Sequence, residues 1–135
     1  MTTSRRYFSE IPMKALSVRQ PWASLIAEGK KSIELRTRKT HYRGPLLICA
    51  SRHKQGDGPK GVALAVVDVV DCRPAVPGDE KRACCKPQKD HYAWCFAYPR
   101  PVDPFPVRGN CSLFHVDYDA PVYSNETTAR PREPR

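Results

Sequence analysis

The chain lacks a long hydrophobic run. Its longest mostly apolar stretch, Val62 to Val70, is far short of the roughly 20 residues that a membrane-crossing helix needs. No apolar segment follows Met1-Thr2-Thr3-Ser4-Arg5-Arg6, so a secretory signal is not expected and a cytoplasmic setting is. There is no C-x-x-C pair among the six cysteines. Zinc sites pair their ligands about two to four residues apart, so neither a structural metal nor a cofactor is expected. Without a secretory context the even cysteine count is not read as a disulfide framework. Cys49, Cys95 and Cys111 lie in or beside strand-like apolar runs and read as small buried hydrophobes. Glycine is scarce beside proline, seven against fourteen, which excludes long uninterrupted helices and favours strands and turns. Acidic residues are also in the minority, 14 against 23 basic, for a net charge of +9.

That excess is local. Between Lys30 and Lys60 stand nine basic residues against Glu34 and Asp57, a net +7. A basic excess confined to one segment reads as a footprint for a polyanion. The bland alternative is a solvated face that aids solubility. At 135 residues the chain suits one compact domain. We place that domain at 14–119, between an N-terminal tail at 1–13 and a flexible C-terminal tail at 120–135.

Within the domain Ala15–Val18 reads as a short strand. Pro21 stands where a helix can begin, because its missing N–H has no partner there anyway. Trp22, Leu25 and Ile26 follow at helical spacing, and Gly29 is a natural stop. Ser32–Arg36 alternates as a strand, with Ile33 and Leu35 on one face and Glu34 and Arg36 on the other. Pro45–Ala50 is a buried strand, 51–61 a polar loop, and 61–71 a valine-rich strand. No structure is assigned to 72–90. Tyr92–Tyr98 is a strand with Tyr92, Trp94 and Phe96 on one face. Pro99–Pro106, with four prolines, must be extended or turn-like. Ser112–Val116 is the last strand. The fold class is therefore mostly β with an early short helix, α+β in content: a small closed or nearly closed β-barrel with the helix over one end.

Two motifs stand out. The first is Ser17-Val18-Arg19-Gln20-Pro21-Trp22-Ala23, followed by Gly29, Lys31, Glu34 and Arg36 in the spacing G-x-K-x-x-E-x-R. The second is Tyr98-Pro99-Arg100-Pro101 leading to Pro106-Val107-Arg108-Gly109. Together they resemble the ASCH domain, a branch of the PUA-like superfamily. The second is similar to an N-P-R-P … P-V-K-G ending. The S-x-R-Q-P-W-A stretch is similar to the branch that includes the ASCH domain of a eukaryotic transcription coactivator. The resemblance implies a PUA-like barrel with a cleft beside the first helix, and nucleic acid or a modified nucleoside as ligand.

The residues carry their own logic. Glu34 and Arg36 project to one side of a strand, and Lys31 lies where it can lean over the same mouth. Lys and Arg donate to phosphate, Arg through a bidentate fork. Arg19 and Gln20 sit at the strand-to-helix junction. Trp22 is a core anchor or a stacking platform, and Tyr92 and Trp94 stack on bases or fill the barrel. Ser51, Arg52 and His53, at a strand end, suit a phosphate contact. The reading is a small nucleic-acid-binding module, RNA ahead of DNA, acting as a monomer without membrane association. The alternative is a hydrolase of RNA or of modified nucleosides, with Lys31, Glu34 and Ser51 catalytic. A small bacterial ASCH protein is an acetylcytidine amidohydrolase whose pattern pairs Lys-x-x-Thr with a later glutamate. Here Lys31 matches, but Glu34 stands at the threonine position, so the hydroxyl nucleophile is missing. An adaptor role for the proline-rich 99–106 segment ranks last. On sequence alone, Lys31→Ala is expected to weaken ligand binding far more than Lys30→Ala.

Overall fold

The computed structural model describes residues 13–108 and the backbone of 114–116. The expected tails lie outside these residues, apart from Met13, as does Cys111. Six strands form one sheet: β1 (Met13–Val18), β2 (Ile33–Arg36), β3 (Gly44–Ala50), β4 (Val62–Pro74), β5 (Tyr92–Pro106) and β6 (Phe114–Val116), in the order β2-β5-β4-β3-β1-β6. Helix α1 (Trp22–Ala27) follows β1, and a 3-10 turn (Pro77–Asp79) runs into the one-turn helix α2 (Glu80–Ala83) between β4 and β5. β1 and β3 are parallel and all other neighbours antiparallel. Among the described residues no helix is long and apolar enough to cross a membrane.

Strand alternation divides the core in two. Leu16, Val18, Leu46, Ile48, Val67, Val69, Trp94 and Phe96 point to one face, where Ala23 and Ile26 of α1 cover them. Ala15, Leu47, Cys49, Ala63 and Val66 form the other face with Val102 and Val107. β3 therefore reads as a continuous apolar run because it is covered on both sides. Burial pushes the Cys49 thiol up to about 12, so it packs as an inert hydrophobe.

The sheet curls because β4 and β5 pair along most of their length through three register shifts. Each bulge bends its strand and adds twist. β2 pairs with β5 only from Tyr92 to Cys95. Beyond that point, among the described residues, the outer side of β5 has no neighbouring strand in the sheet order, so prolines 99, 101, 104 and 106 can stand in a strand. An edge tolerates a missing N–H. The proline segment is thus extended, as expected, and continues β5.

The segment without assigned structure is ordered by side chains. β4 runs on to Pro74, and Arg73 grips Asp79 through two hydrogen bonds of 2.8 Å. The Val76 N–H donates to the same carboxylate at 2.9 Å. Ala83 and the half-buried Cys85 then pack on Ile33, Ala93 and Cys95. Apolar periodicity misses this because the clamp is a charged pair and the apolar partners belong to other strands.

The Arg73 guanidinium holds the buried Asp79 carboxyl at about 2, below its ordinary 3.8. A depressed folded-state value adds stability above the unfolded value, and that stability is lost as pH falls from about 4 through about 2. Urea titrations should show this acid loss in the wild type and a smaller one in Asp79→Asn. At neutral pH the variant should be less stable by about 1.5–3 kcal/mol, the range for hydrogen bonds to a charged group.

Candidate functional site

The residues singled out in the sequence fall into two groups. The first surrounds the start of α1. Gln20 is buried, although it stands at a chain junction. Its Oε1 accepts the Ser24 N–H at 3.0 Å, and its Nε2 donates to the Pro59 carbonyl at 2.8 Å. One amide thus caps the first turn of the helix and holds the 51–61 loop against it. The loop lies so close that a Cβ at Gly56, at φ +88°, would stand 1.9 Å from the Gln20 carbonyl oxygen. Only glycine fits there. Arg19 is exposed beside this junction, and Trp22 is half-buried against the core.

The loop begins where the Ser51 N–H donates to the Val18 carbonyl at 2.9 Å. Ser51 Oγ accepts the His53 N–H, while His53 Nδ1 accepts the Gln55 N–H. That ring nitrogen is therefore engaged away from the serine hydroxyl. Arg52 lies on Gly61 and donates to the Val107 carbonyl at 3.4 Å. Arg52, His53 and Lys54 are all exposed.

The second group is internal. Arg36 Nε donates to Glu34 at 3.0 Å, and the opposite Glu34 oxygen lies 3.5 Å from Lys31 Nζ. Lys31 Nζ also donates to the carbonyl of Ala83, at the end of α2. Arg36 Nη2 reaches the Ser17 carbonyl on β1 at 2.7 Å. β2 and β1 lie far apart in the sheet order, so this side chain bridges a gap that no backbone ladder closes. The sequence pattern leans Lys31 over an open mouth; its side chain is instead only 1% exposed. A buried ammonium needs fixed acceptors, and Glu34 with the Ala83 carbonyl supplies them.

Tyr92 and Trp94 stand in register with Arg36 and Glu34. Trp94 is buried and its Nε1 donates to the Arg38 carbonyl at 2.9 Å. It fills the barrel and tethers the 37–43 loop. Tyr92 packs half-buried on the same core. The two groups meet at the end of β1, where Arg36 holds Ser17, two residues before Arg19. Among the described residues no three His, Cys, Asp or Glu side chains converge to hold a metal ion.

The family pattern of the ASCH domain matches residues 16–106. The chain belongs to the ASCH domain family. It is 30% identical to human Activating signal cointegrator 1 and 28% identical to the mouse protein of that name. Each match covers 76% of this chain and 22% of the relative, so the chain spans about a fifth of those proteins' length. Among solved structures it resembles the ASCH protein of Zymomonas mobilis. The TM-score is 0.62 at 15% identity, with coverage of 86% of this chain and 90% of that one. A serine-to-alanine mutant of the same protein aligns at 0.61 and 16% identity over 78% and 91%. At such identities the likeness shows the fold alone, which is the PUA-like fold of the ASCH domain. Among the described residues the sheet curls into a half-barrel whose edge strands β2 and β6 do not pair, so the expected closure is not reached.

The internal group makes Lys31 part of the fold. Lys31→Ala should lower the unfolding free energy by about 3 kcal/mol, the order seen when one partner of a buried pair is removed. Lys30, exposed and paired with Glu28 at 3.4 Å, should change it by less than about 0.5 kcal/mol. Chemical denaturation of the two alanine variants makes the comparison.

Proposed function

We propose that this ASCH domain is a nucleic-acid-binding module that uses a basic cleft beside α1, with RNA preferred over DNA. The observation that carries the reading is the exposed remainder of the basic segment. With Lys31, Glu34 and Arg36 committed to one another, seven basic residues from Lys30 to Lys60 remain against Asp57. Among the described residues, Arg38, Lys39 and Lys54 are exposed and no ion pair engages them. Arg19 and Arg52 add two further exposed cations around the start of α1. Exposed, unpaired cations are what a phosphate backbone recruits, with release of its counterions.

RNA is favoured because sequence-selective RNA binding works on unpaired bases rather than on a duplex groove. The short helix and its flanking loop are too small to fill a DNA major groove in the manner of a recognition helix. A hydrolytic reading requires a free base, and Lys31 and Glu34 are tied to each other, to Arg36 and to a carbonyl. The geometry therefore favours binding over turnover.

Anisotropy titrations with a labelled single-stranded RNA and its DNA counterpart test the reading. Affinity for RNA should be the higher and should fall with salt, by a slope of about −0.7 in log affinity against log salt for each phosphate contact. Replacing Arg38, Lys39 and Lys54 together by alanine should make that slope shallower by about 2. A flat salt response, or no binding, refutes the proposal.

A further inference from the structure

Tyr98 is the most exposed large hydrophobic side chain of the described residues, at 59%. It also has a left-handed backbone, at φ +55°. That conformation is unfavourable for a residue with a bulky side chain, and glycine or asparagine tolerates it. Because the ring is exposed, burial gives little to offset the backbone cost.

The surroundings fix the conformation. Val66 pairs with Arg100 and Asp68 with Ala97, so Tyr98 and Pro99 face Val67 alone across the ladder. This is a two-against-one bulge. Arg100 locks it, donating to the Tyr98 carbonyl at 2.8 Å and to Asp68 at 3.0 Å. Pro99 lies against the turn that ends α1: a Cβ at Gly29 would stand 3.6 Å from the Pro99 ring. Thus the basic 51–61 loop touches one end of α1 and the Tyr98 bulge the other. A helix of six residues spans about 9 Å.

We infer that Tyr98 is a stacking platform for an unpaired base of a single strand whose phosphates lie on the cations at the start of α1. The inference rests on the nucleic-acid reading above and assigns it a base-contacting residue. An aromatic face accepts any base, and such stacking adds affinity without adding phosphate contacts.

The test uses the full chain and a labelled oligouridylate, with Tyr98→Phe, Tyr98→Asn and Tyr98→Gly. Phe keeps the ring and should bind like wild type. Asn and Gly relieve the backbone and remove the ring, so both should melt at or above the wild-type temperature. Both should bind about tenfold more weakly, within the usual contribution of one stacked base, with the salt slope unchanged. That combination separates stacking from loss of fold, which would lower the melting temperature, and from loss of a phosphate contact, which would flatten the slope. If wild type binds and the Asn and Gly variants bind equally well, the platform is refuted while the nucleic-acid reading stands. If wild type does not bind, both fail.

Discussion

The fold depends on one carboxylate held between two cations. Glu34 takes Arg36 on one oxygen and faces Lys31 on the other, and each cation continues to a backbone carbonyl. Buried charges are costly, and such a group is tolerated only when its members have further hydrogen bonds. Here the further bonds give the cluster its reach. Arg36 ties β2 to β1 across the open side of the sheet. Lys31 ties the strap before β2 to the end of α2. In this chain the spacing K-x-x-E-x-R is thereby accounted for by the contacts that hold the curled sheet together. It places one cation just before a strand, the carboxylate two residues into it, and the second cation on the same face.

This division sorts the basic residues by task. Those that the cluster withdraws from solvent shape the barrel, and those outside it set the surface field. The 37–43 and 51–61 loops, which carry several of these cations, are both anchored. One hangs from the Trp94 indole, and the other is held by the Gln20 amide. Anchored cations lose less freedom on meeting a polyanion than cations on free loops.

Much of the strand pattern is legible in the sequence. Alternation in Ile33–Arg36 places Glu34 and Arg36 together, and the apolar runs of β3 and β4 announce a sheet centre. Pro21 and Gly29 bracket the helix correctly. What escapes depends on distant partners. Lysine is almost never fully buried, and the acceptor that buries Lys31 is 52 residues away. The 72–90 segment has no periodicity: a side-chain clamp six residues long, Arg73 on Asp79, orders its first part, and its apolar anchors Ile33, Ala93 and Cys95 stand on other strands. Trp94 is evenly balanced between core and surface on composition, and only its burial and its indole bond to the Arg38 carbonyl show it inside. Gln20 looks like a pocket residue, but its amide is spent on a cap and a loop. Tyr98 escapes as well, because its meaning depends on a left-handed backbone angle that sequence does not display.

The prolines of β5 also restrict how this protein can meet others. An uncovered strand normally invites another chain to continue the sheet. Among the described residues no strand pairs with the outer side of β5 from residue 97 onward, and four of the ten positions 97–106 lack an N–H. An incoming strand would find an incomplete row of donors. That edge is therefore poorly suited to recruiting a peptide by sheet extension.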